Sequence, residues 1–113
     1  MLQLKTILVP VDFSMASERA LRYAISLARG DATTVVVLHV YNVPVYNFPD
    51  GAILASPDLA TRLSDAAQRQ LDNMMDMFAD SGVKLQAQLR EGVARDEILN
   101  AAKDFSADMI VLG

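Results

Sequence analysis

The chain has 113 residues, of which 52% are hydrophobic and 21% charged, proportions typical of one folded domain rather than of a disordered chain. Its net charge of −4 and its scattered lysines and arginines argue against nucleic acid or an anionic membrane as a partner. The absence of cysteine excludes disulfides and thiolate chemistry, and no apolar run approaches the roughly 18 residues that span a bilayer. The apolar run near the N-terminus is too short for a signal peptide, so we expect a cytoplasmic protein with one domain over residues 1–113.

The first predicted element is a buried strand. Its branched apolar residues follow one another almost without interruption: Ile7, Leu8, Val9 and Val11. Such a run is typical of a strand inside a parallel sheet, and Pro10 predicts that its pairing ends there. Residues 14–30 then predict a helix, with Ser14 as the N-cap and Gly30 at its end. Its inward stripe has helical spacing: Ala16, Ala20, Leu21, Ala24, Leu27 and Ala28.

The middle of the chain predicts a strand, a loop and a long helix. The apolar run at residues 33–41 predicts a second buried strand. Residues 41–57 contain three of the four prolines and several aromatic side chains, so we expect a long loop over the sheet. A helix ending at Gly82 follows, because apolar residues recur there every three or four positions: Ala60, Leu63, Ala67, Leu71, Met74 and Phe78.

The last part of the chain predicts a strand, a helix and a strand. Residues 83–90 alternate strictly between apolar and polar side chains, which indicates an edge strand with one face in water. Residues 92–105 predict a third helix, whose inward side chains are Ala94, Ile98, Ala101, Ala102 and Phe105. The apolar run at residues 108–112 predicts a fourth, buried strand.

Strands and helices therefore alternate, which predicts an α/β fold with right-handed crossovers. Since the third strand belongs at an edge, we expect an open, doubly wound parallel sheet in the order 3-2-1-4, with helices on both faces. Ligands of such sheets bind at the carboxyl ends of the two strands where the winding reverses. Here those ends are Pro10 to Asp12 after the first strand, and Leu112 with Gly113 after the fourth.

Asp12 is the residue of this crevice best suited to bind a ligand. Its carboxylate can accept a hydrogen bond from an amine or a ribose hydroxyl, but it can equally cap the following helix together with Ser14. Position alone leaves both interpretations open. His39, the only histidine, has no partner at a useful spacing, which favours a structural role over catalysis or metal binding.

Other candidate groups are better explained by structure. Met74 fits the helix core, with Met75 and Met77 at its margin. Asp96 and Glu97 suit a helix N-terminus better than acid–base catalysis. Neither the P-loop nor the dinucleotide-binding glycine motif is present, and the acids that a two-component receiver domain requires are missing.

Three segments together resemble the universal stress protein family: ILVPVDFSMASERALRYAISLA, VVVLHVY and EGVARDEILNAAKDFSADMIVLG. The resemblance runs in order through the whole chain, and it implies a stress-response protein, usually dimeric, that binds adenine nucleotides such as ATP or AMP. It places Asp12 in a hydrogen bond with the base. It places the other binding residues around the base and the sugar: Pro10, Val11, Val40, Leu112 and Gly113.

The sequence also departs from the family pattern. ATP-binding members continue past the equivalent of Gly113 with a glycine-rich loop that holds the phosphates, then a last helix and a fifth strand that commonly forms the dimer contact. Because this sequence lacks those parts, we expect a C-terminally incomplete domain in which binding of ATP or AMP is weakened. We also expect a homodimer that forms through the exposed edge of the fourth strand.

Three functions are open at this point. The first is an ATP-binding stress-response protein whose phosphate-binding loop is incomplete. The alternative is a dimeric protein-interaction module of the same fold that binds no nucleotide. An enzyme acting on the nucleotide ranks last, and we expect none, because no general base with an orienting partner is evident.

Overall fold

The computed structural model describes residues 4–49, 51–54 and 57–113. In chain order its elements are β1 (Thr6–Pro10), α1 (Met15–Leu27), a short 3₁₀ helix (Gly30–Ala32), β2 (Thr34–Tyr41), β3 (Val45–Phe48), β4 (Gly51–Leu54), α2 (Pro57–Met77), β5 (Lys84–Glu91), α3 (Ala94–Asp104) and β6 (Met109–Ile110). Except for β3 and β4, strands and helices alternate as the sequence predicts.

Four strands form one parallel sheet in the order β5-β2-β1-β6. Counted along the predicted strands this is the order 3-2-1-4, so the prediction of a doubly wound α/β fold is confirmed. The register places Leu8 of β1 opposite Val36 of β2 and Ile110 of β6. Because β1 lies beside β6, the carboxyl ends of these two strands open at the same edge of the sheet. The edge position predicted for residues 83–90 is also correct, since β5 pairs only with β2 within the described ranges.

The prediction of a loop over residues 41–57 is wrong for residues 45–48 and 51–54, and residues 50, 55 and 56 lie outside the described residues. β3 and β4 form an antiparallel hairpin, a separate two-stranded sheet in which Val45 pairs with Leu54 and Phe48 with Gly51. Pro44 and Pro49 lie just outside the paired residues, so they bound the first strand of the hairpin instead of disrupting it. Gly51 has φ +130°, a conformation that glycine adopts far more readily than other residues, and it opens the second strand.

Helices cover both faces of the sheet, as predicted. On the face of α1 and α2, buried side chains of β1 and β2 pack against Leu21, Ala24, Leu71, Met74 and Phe78. On the face of α3, Leu8, Val36 and Leu38 pack against Ala101, and Ile98 and Phe105 cover them in part. The alternation of neighbouring residues between the two cores explains why β1 and β2 are apolar at almost every position.

The helix ends and stripes differ from the predictions in detail. α1 ends at Leu27, before Gly30, and α2 ends at Met77, where the Phe78 N–H donates to the carbonyl oxygen of Met75 at 3.2 Å. Ala16 and Ala94 were predicted to face inward, but both are exposed. Each lies in the first turn of its helix, at the carboxyl ends of the strands, where it lines an open groove. No helix in the described ranges combines the length and apolarity that crossing a bilayer requires.

Candidate functional site

A groove of about 230 Å³ opens at the carboxyl ends of β1, β2 and β6. Two backbone hydrogen bonds hold its walls together: the Val11 N–H donates to the Leu38 carbonyl oxygen at 2.7 Å, and the Val111 N–H donates to that of Leu8 at 2.9 Å. Every residue that the sequence assigns to the ligand site lines this groove: Pro10, Val11, Asp12, Val40, Leu112 and Gly113. The fold therefore brings the predicted residues together, and their role in binding stays a prediction.

Asp12 sits between the end of β1 and the first turn of α1. Its Oδ1 accepts two hydrogen bonds, one from the Ser14 N–H at 3.0 Å and one from the Ser17 hydroxyl at 2.9 Å. The backbone N–H of Asp12 donates in turn to the Ser17 hydroxyl oxygen at 3.2 Å. These contacts satisfy the helix-anchoring interpretation of Asp12 through Oδ1, and the residue is exposed where it lines the groove.

Hydrogen bonding keeps the Asp12 carboxylate ionised. The Ser14 hydroxyl, the Ser14 N–H and the Ser17 hydroxyl together lower the pKa of Asp12 from 3.8 to about 2. At neutral pH the group is therefore acceptor-only, and it suits a ligand that presents an amine or a hydroxyl.

The first helix is capped separately from Asp12. The Ser14 hydroxyl accepts a hydrogen bond from the Ser17 N–H at 3.2 Å, which is the predicted N-cap interaction. Glu18 lies in the first turn, where the helix dipole favours an acid, and its N–H donates to the Ser14 carbonyl oxygen.

His39 holds the loop that carries Asp12. Its Nδ1 lies 2.8 Å from the carbonyl oxygen of Val11, which can only accept, so Nδ1 carries the hydrogen. The ring packs against that of Phe13, with 4.4 Å between their centroids. Phe13 has φ +66°, a left-handed conformation that is uncommon for a bulky residue and that this packing supports. These are the contacts of the structural histidine that the sequence favours.

Gly113 closes the groove against α1. A Cβ at this position would collide with the backbone carbonyl of Ala16 and would lie 2.8 Å from the Ser17 nitrogen. The backbone of Gly113 therefore approaches the first turn of α1 more closely than any other residue type permits.

The third helix supplies a wall that the predicted site lacks. Ala94 and Ile98 line the groove, and Arg90 of β5 holds their helix in place. The Arg90 guanidinium contacts Asp104 at 2.9 Å and Glu97 at 3.6 Å, so it joins β5 to both ends of α3. Glu97 lies in the first turn of α3, as predicted for a helix N-terminus rather than for catalysis.

The chemistry of the groove is mainly apolar. Aliphatic side chains from β1, β2, α3 and the segment after β6 form most of its lining, and that lining contains no lysine or arginine in the described residues. Nor does the described part of the chain place three or more histidine or acidic side chains where they could hold a metal ion. An apolar slot with one fixed carboxylate suits a flat, amine-bearing ring.

Comparisons with known proteins point to one family. The sequence model of the Universal stress protein family matches residues 3–113. The chain is 32% identical over 111 residues to a universal stress protein of Methanocaldococcus jannaschii, and the match covers 96% of this chain and 64% of that protein. It is 31% identical over 118 residues to Universal stress protein G of Escherichia coli O157:H7, with 96% of this chain and 78% of that protein covered.

Solved structures give the same fold. UspA of Lactobacillus plantarum superposes with a TM-score of 0.80 at 27% identity, covering 100% of this chain and 79% of that one. A universal stress protein from Arabidopsis thaliana with AMP bound has a TM-score of 0.66 at 20% identity, over 96% of this chain and 75% of that one. A universal stress protein in complex with cAMP has a TM-score of 0.71 at 18% identity, over 97% and 76%.

Proposed function

Because this chain belongs to the universal stress protein family, we propose that it binds an adenine nucleotide, ATP or AMP, in the groove at the ends of β1, β2 and β6. One observation carries the proposal: residues from three strands that are distant in sequence converge on one apolar slot with a single fixed carboxylate. Pro10, Val11, Val40 and Leu112 would pack against the base and the sugar, Asp12 would accept from the exocyclic amine, and Gly113 would line the ribose side.

Two structures of the same fold support an adenine ligand, since they are described with AMP and with cAMP bound. At 20% and 18% identity they share the fold with this chain, so they support the ligand class by analogy. The groove itself supports the same class, because its fixed carboxylate accepts from an amine and its aliphatic walls accept a flat ring.

The groove favours the nucleoside part of the ligand over its phosphates. None of the described residues that line it is a lysine or an arginine, so the phosphates find no positive side chain there. We therefore expect weak binding, with a Kd of about 1 mM, which corresponds to about 4 kcal/mol of binding free energy. AMP and ATP should bind about equally, because they share the nucleoside part and differ only in their phosphates.

Calorimetry with AMP and ATP tests the proposal. Asp12→Asn keeps an oxygen for the Ser14 N–H but presents an amide in place of one carboxylate oxygen, so we expect affinity to fall at least tenfold. Asp65→Asn, an exposed carboxylate on α2, is the matched control and should bind as the wild type does. Equal affinity in the Asp12 and Asp65 variants would remove Asp12 from the site.

We further propose binding rather than catalysis. The hydrogen on Nδ1 of His39 is directed to the Val11 carbonyl oxygen, not to a carboxylate that would orient the ring as a general base. The protein should therefore leave ATP intact during hours of incubation, as judged by chromatography of the nucleotide. Hydrolysis that disappears in His39→Gln would contradict this proposal.

The alternative function is a dimeric interaction module that binds no nucleotide. It is favoured by the edge position of β6 in the described sheet, where Ile110 is 37% exposed. Both proposals include a cytoplasmic homodimer formed through that edge. The two functions differ in the effect of ATP. The interaction module predicts that ATP leaves both the melting temperature and the mass of the assembly unchanged.

A further inference from the structure

We infer that Ser17 is the positioning residue of the ligand site: its hydroxyl holds the Asp12 carboxylate so that the second oxygen, Oδ2, faces the groove. The inference rests on the proposed function and deepens it. Ser17 was absent from the predicted site, because it continues the buried stripe of Ala20 and Leu21, and helical spacing does not report a side-chain hydrogen bond.

Two hydrogen bonds join the Ser17 hydroxyl to Asp12, one to its carboxylate and one to its backbone N–H. The Ser17 hydroxyl donates to Oδ1 of Asp12 at 2.9 Å, and its oxygen accepts from the Asp12 backbone N–H at 3.2 Å. The Ser14 N–H also donates to Oδ1, at 3.0 Å. Two donors on one carboxylate oxygen restrict the rotation of the carboxylate, and we infer that its second oxygen, Oδ2, is the one offered to a ligand.

The burial of Ser17 strengthens its hydrogen bonds to Asp12. The Ser17 residue is only 4% exposed, while Asp12 is exposed at the groove. A buried hydroxyl that makes its hydrogen bonds within the protein has no water competing for them. The carboxylate is thus solvent-accessible on the ligand side and anchored on the protein side.

The helix does not need this hydroxyl for its own capping. The Ser17 backbone N–H is already satisfied by the Ser14 hydroxyl, and that bond is kept when residue 17 is alanine. Alanine also has the higher helix propensity. Ser17→Ala therefore removes the hydroxyl that contacts Asp12 while the cap of the helix is kept.

The experiment compares Ser17→Ala with Ser26→Ala. Ser26 is an exposed serine of the same helix, and its hydroxyl donates only to the Tyr23 carbonyl oxygen in the described structure. In calorimetry with AMP we expect Ser17→Ala to lose about 2- to 10-fold in affinity, the value of one hydrogen bond, and Ser26→Ala to lose none. Ser17→Cys preserves the shape but donates poorly, so it should lose affinity similarly and replaces Ser17→Ala if that variant does not fold.

Two further readouts separate positioning from a structural role. The pKa of Asp12, followed by NMR of its side-chain carboxyl carbon, should rise toward its ordinary value in Ser17→Ala and stay unchanged in Ser26→Ala. In the Asp12→Asn background, Ser17→Ala should cause no additional loss of affinity, because its effect acts through the carboxylate.

The outcomes distinguish this inference from the function on which it rests. Wild-type affinity in Ser17→Ala, or a loss that simply adds to that of Asp12→Asn, overturns the role of Ser17 and leaves nucleotide binding in place. Absence of AMP binding by the wild-type protein at millimolar concentration overturns both.

Discussion

Asp12 anchors the first turn of α1, and in the proposed function it also meets the ligand. Its Oδ1 accepts hydrogen bonds from the Ser14 N–H and the Ser17 hydroxyl, and the residue is exposed where it lines the groove. The proposal thus combines the two interpretations that the sequence leaves open.

This arrangement predicts a specific dependence of stability on pH. The pKa of Asp12 is lowered from 3.8 to about 2 in the folded protein, so the folded state favours the ionised group. The resulting stabilisation is complete above pH 3.8 and is lost as the pH falls through about 2. Urea unfolding at several pH values should show this loss in the wild type and a smaller one in Asp12→Asn. An identical pH dependence in both proteins would contradict the assigned hydrogen bonds.

Gly92 carries a second prediction at the residue scale. It has φ +147°, and a Cβ there would lie 3.0 Å from Cγ of Glu97. Gly92→Ala should therefore lower the free energy of unfolding by about 1–3 kcal/mol. Gly30, at φ +57° with open space around it, is the matched control, and its alanine variant should lose about 1 kcal/mol. Equal losses would show that Glu97 moves freely away.

Among the contacts between elements, those of Arg90 link β5 to α3. Its guanidinium contacts Glu97 and Asp104, and its side chain is only 17% exposed. Its Nε is buried and finds no partner among the described residues, which offsets part of the stabilisation. Arg90→Met should therefore destabilise the protein by about 1 kcal/mol in chemical unfolding.

A surface ion pair provides the control for Arg90. Arg62 and Asp58 lie 3.1 Å apart on α2, with side chains 76% and 73% exposed. Exposed pairs contribute little, so Arg62→Met should change stability by less than about 0.5 kcal/mol. A loss in Arg90→Met no larger than this would show that α3 is held by its apolar contacts alone.

The elements also show how far the sequence determines the fold. Continuous apolar runs identified the inner strands β1 and β2, and strict alternation identified the edge strand β5, because burial on two faces or on one leaves different patterns. The apolar run at residues 108–112 predicted a buried strand as well, but β6 has two residues and lies at the other edge of the described sheet, with Ile110 partly exposed. The hairpin was missed, since its prolines were counted as breakers although they lie outside the paired strands.

The site was predictable where it follows from strand ends, and unpredictable where it depends on side-chain contacts. Strand order alone brings Asp12 and Gly113 to one groove. Ser17 and Arg90 act through hydrogen bonds to residues on other turns or strands, and no sequence period reports such contacts. Ala94 and Ile98 were read as core, yet they line the groove because α3 begins at its edge.

At the scale of the whole molecule, the edge of the sheet at β6 predicts association. Ile110 is partly exposed there, and an apolar strand at the edge of the described sheet favours pairing with another copy. Light scattering after size exclusion should give twice the chain mass at micromolar concentration. Ile110→Lys should give the monomer mass, while Leu99→Lys, on the exposed face of α3, should stay dimeric. A wild-type monomer would contradict the proposed dimer and leave the groove unaffected.

Nucleotide binding in the groove is tested most directly by an NMR titration of the labelled protein with AMP. We expect backbone signals at the ends of β1, β2 and β6 to shift together with one affinity: Val11, Asp12, Val40, Leu112 and Gly113. Signals of residues remote from the groove, such as Asp65 on α2, should stay in place. Shifts that are absent at millimolar AMP, or that gather on α2 instead, would contradict nucleotide binding in this groove.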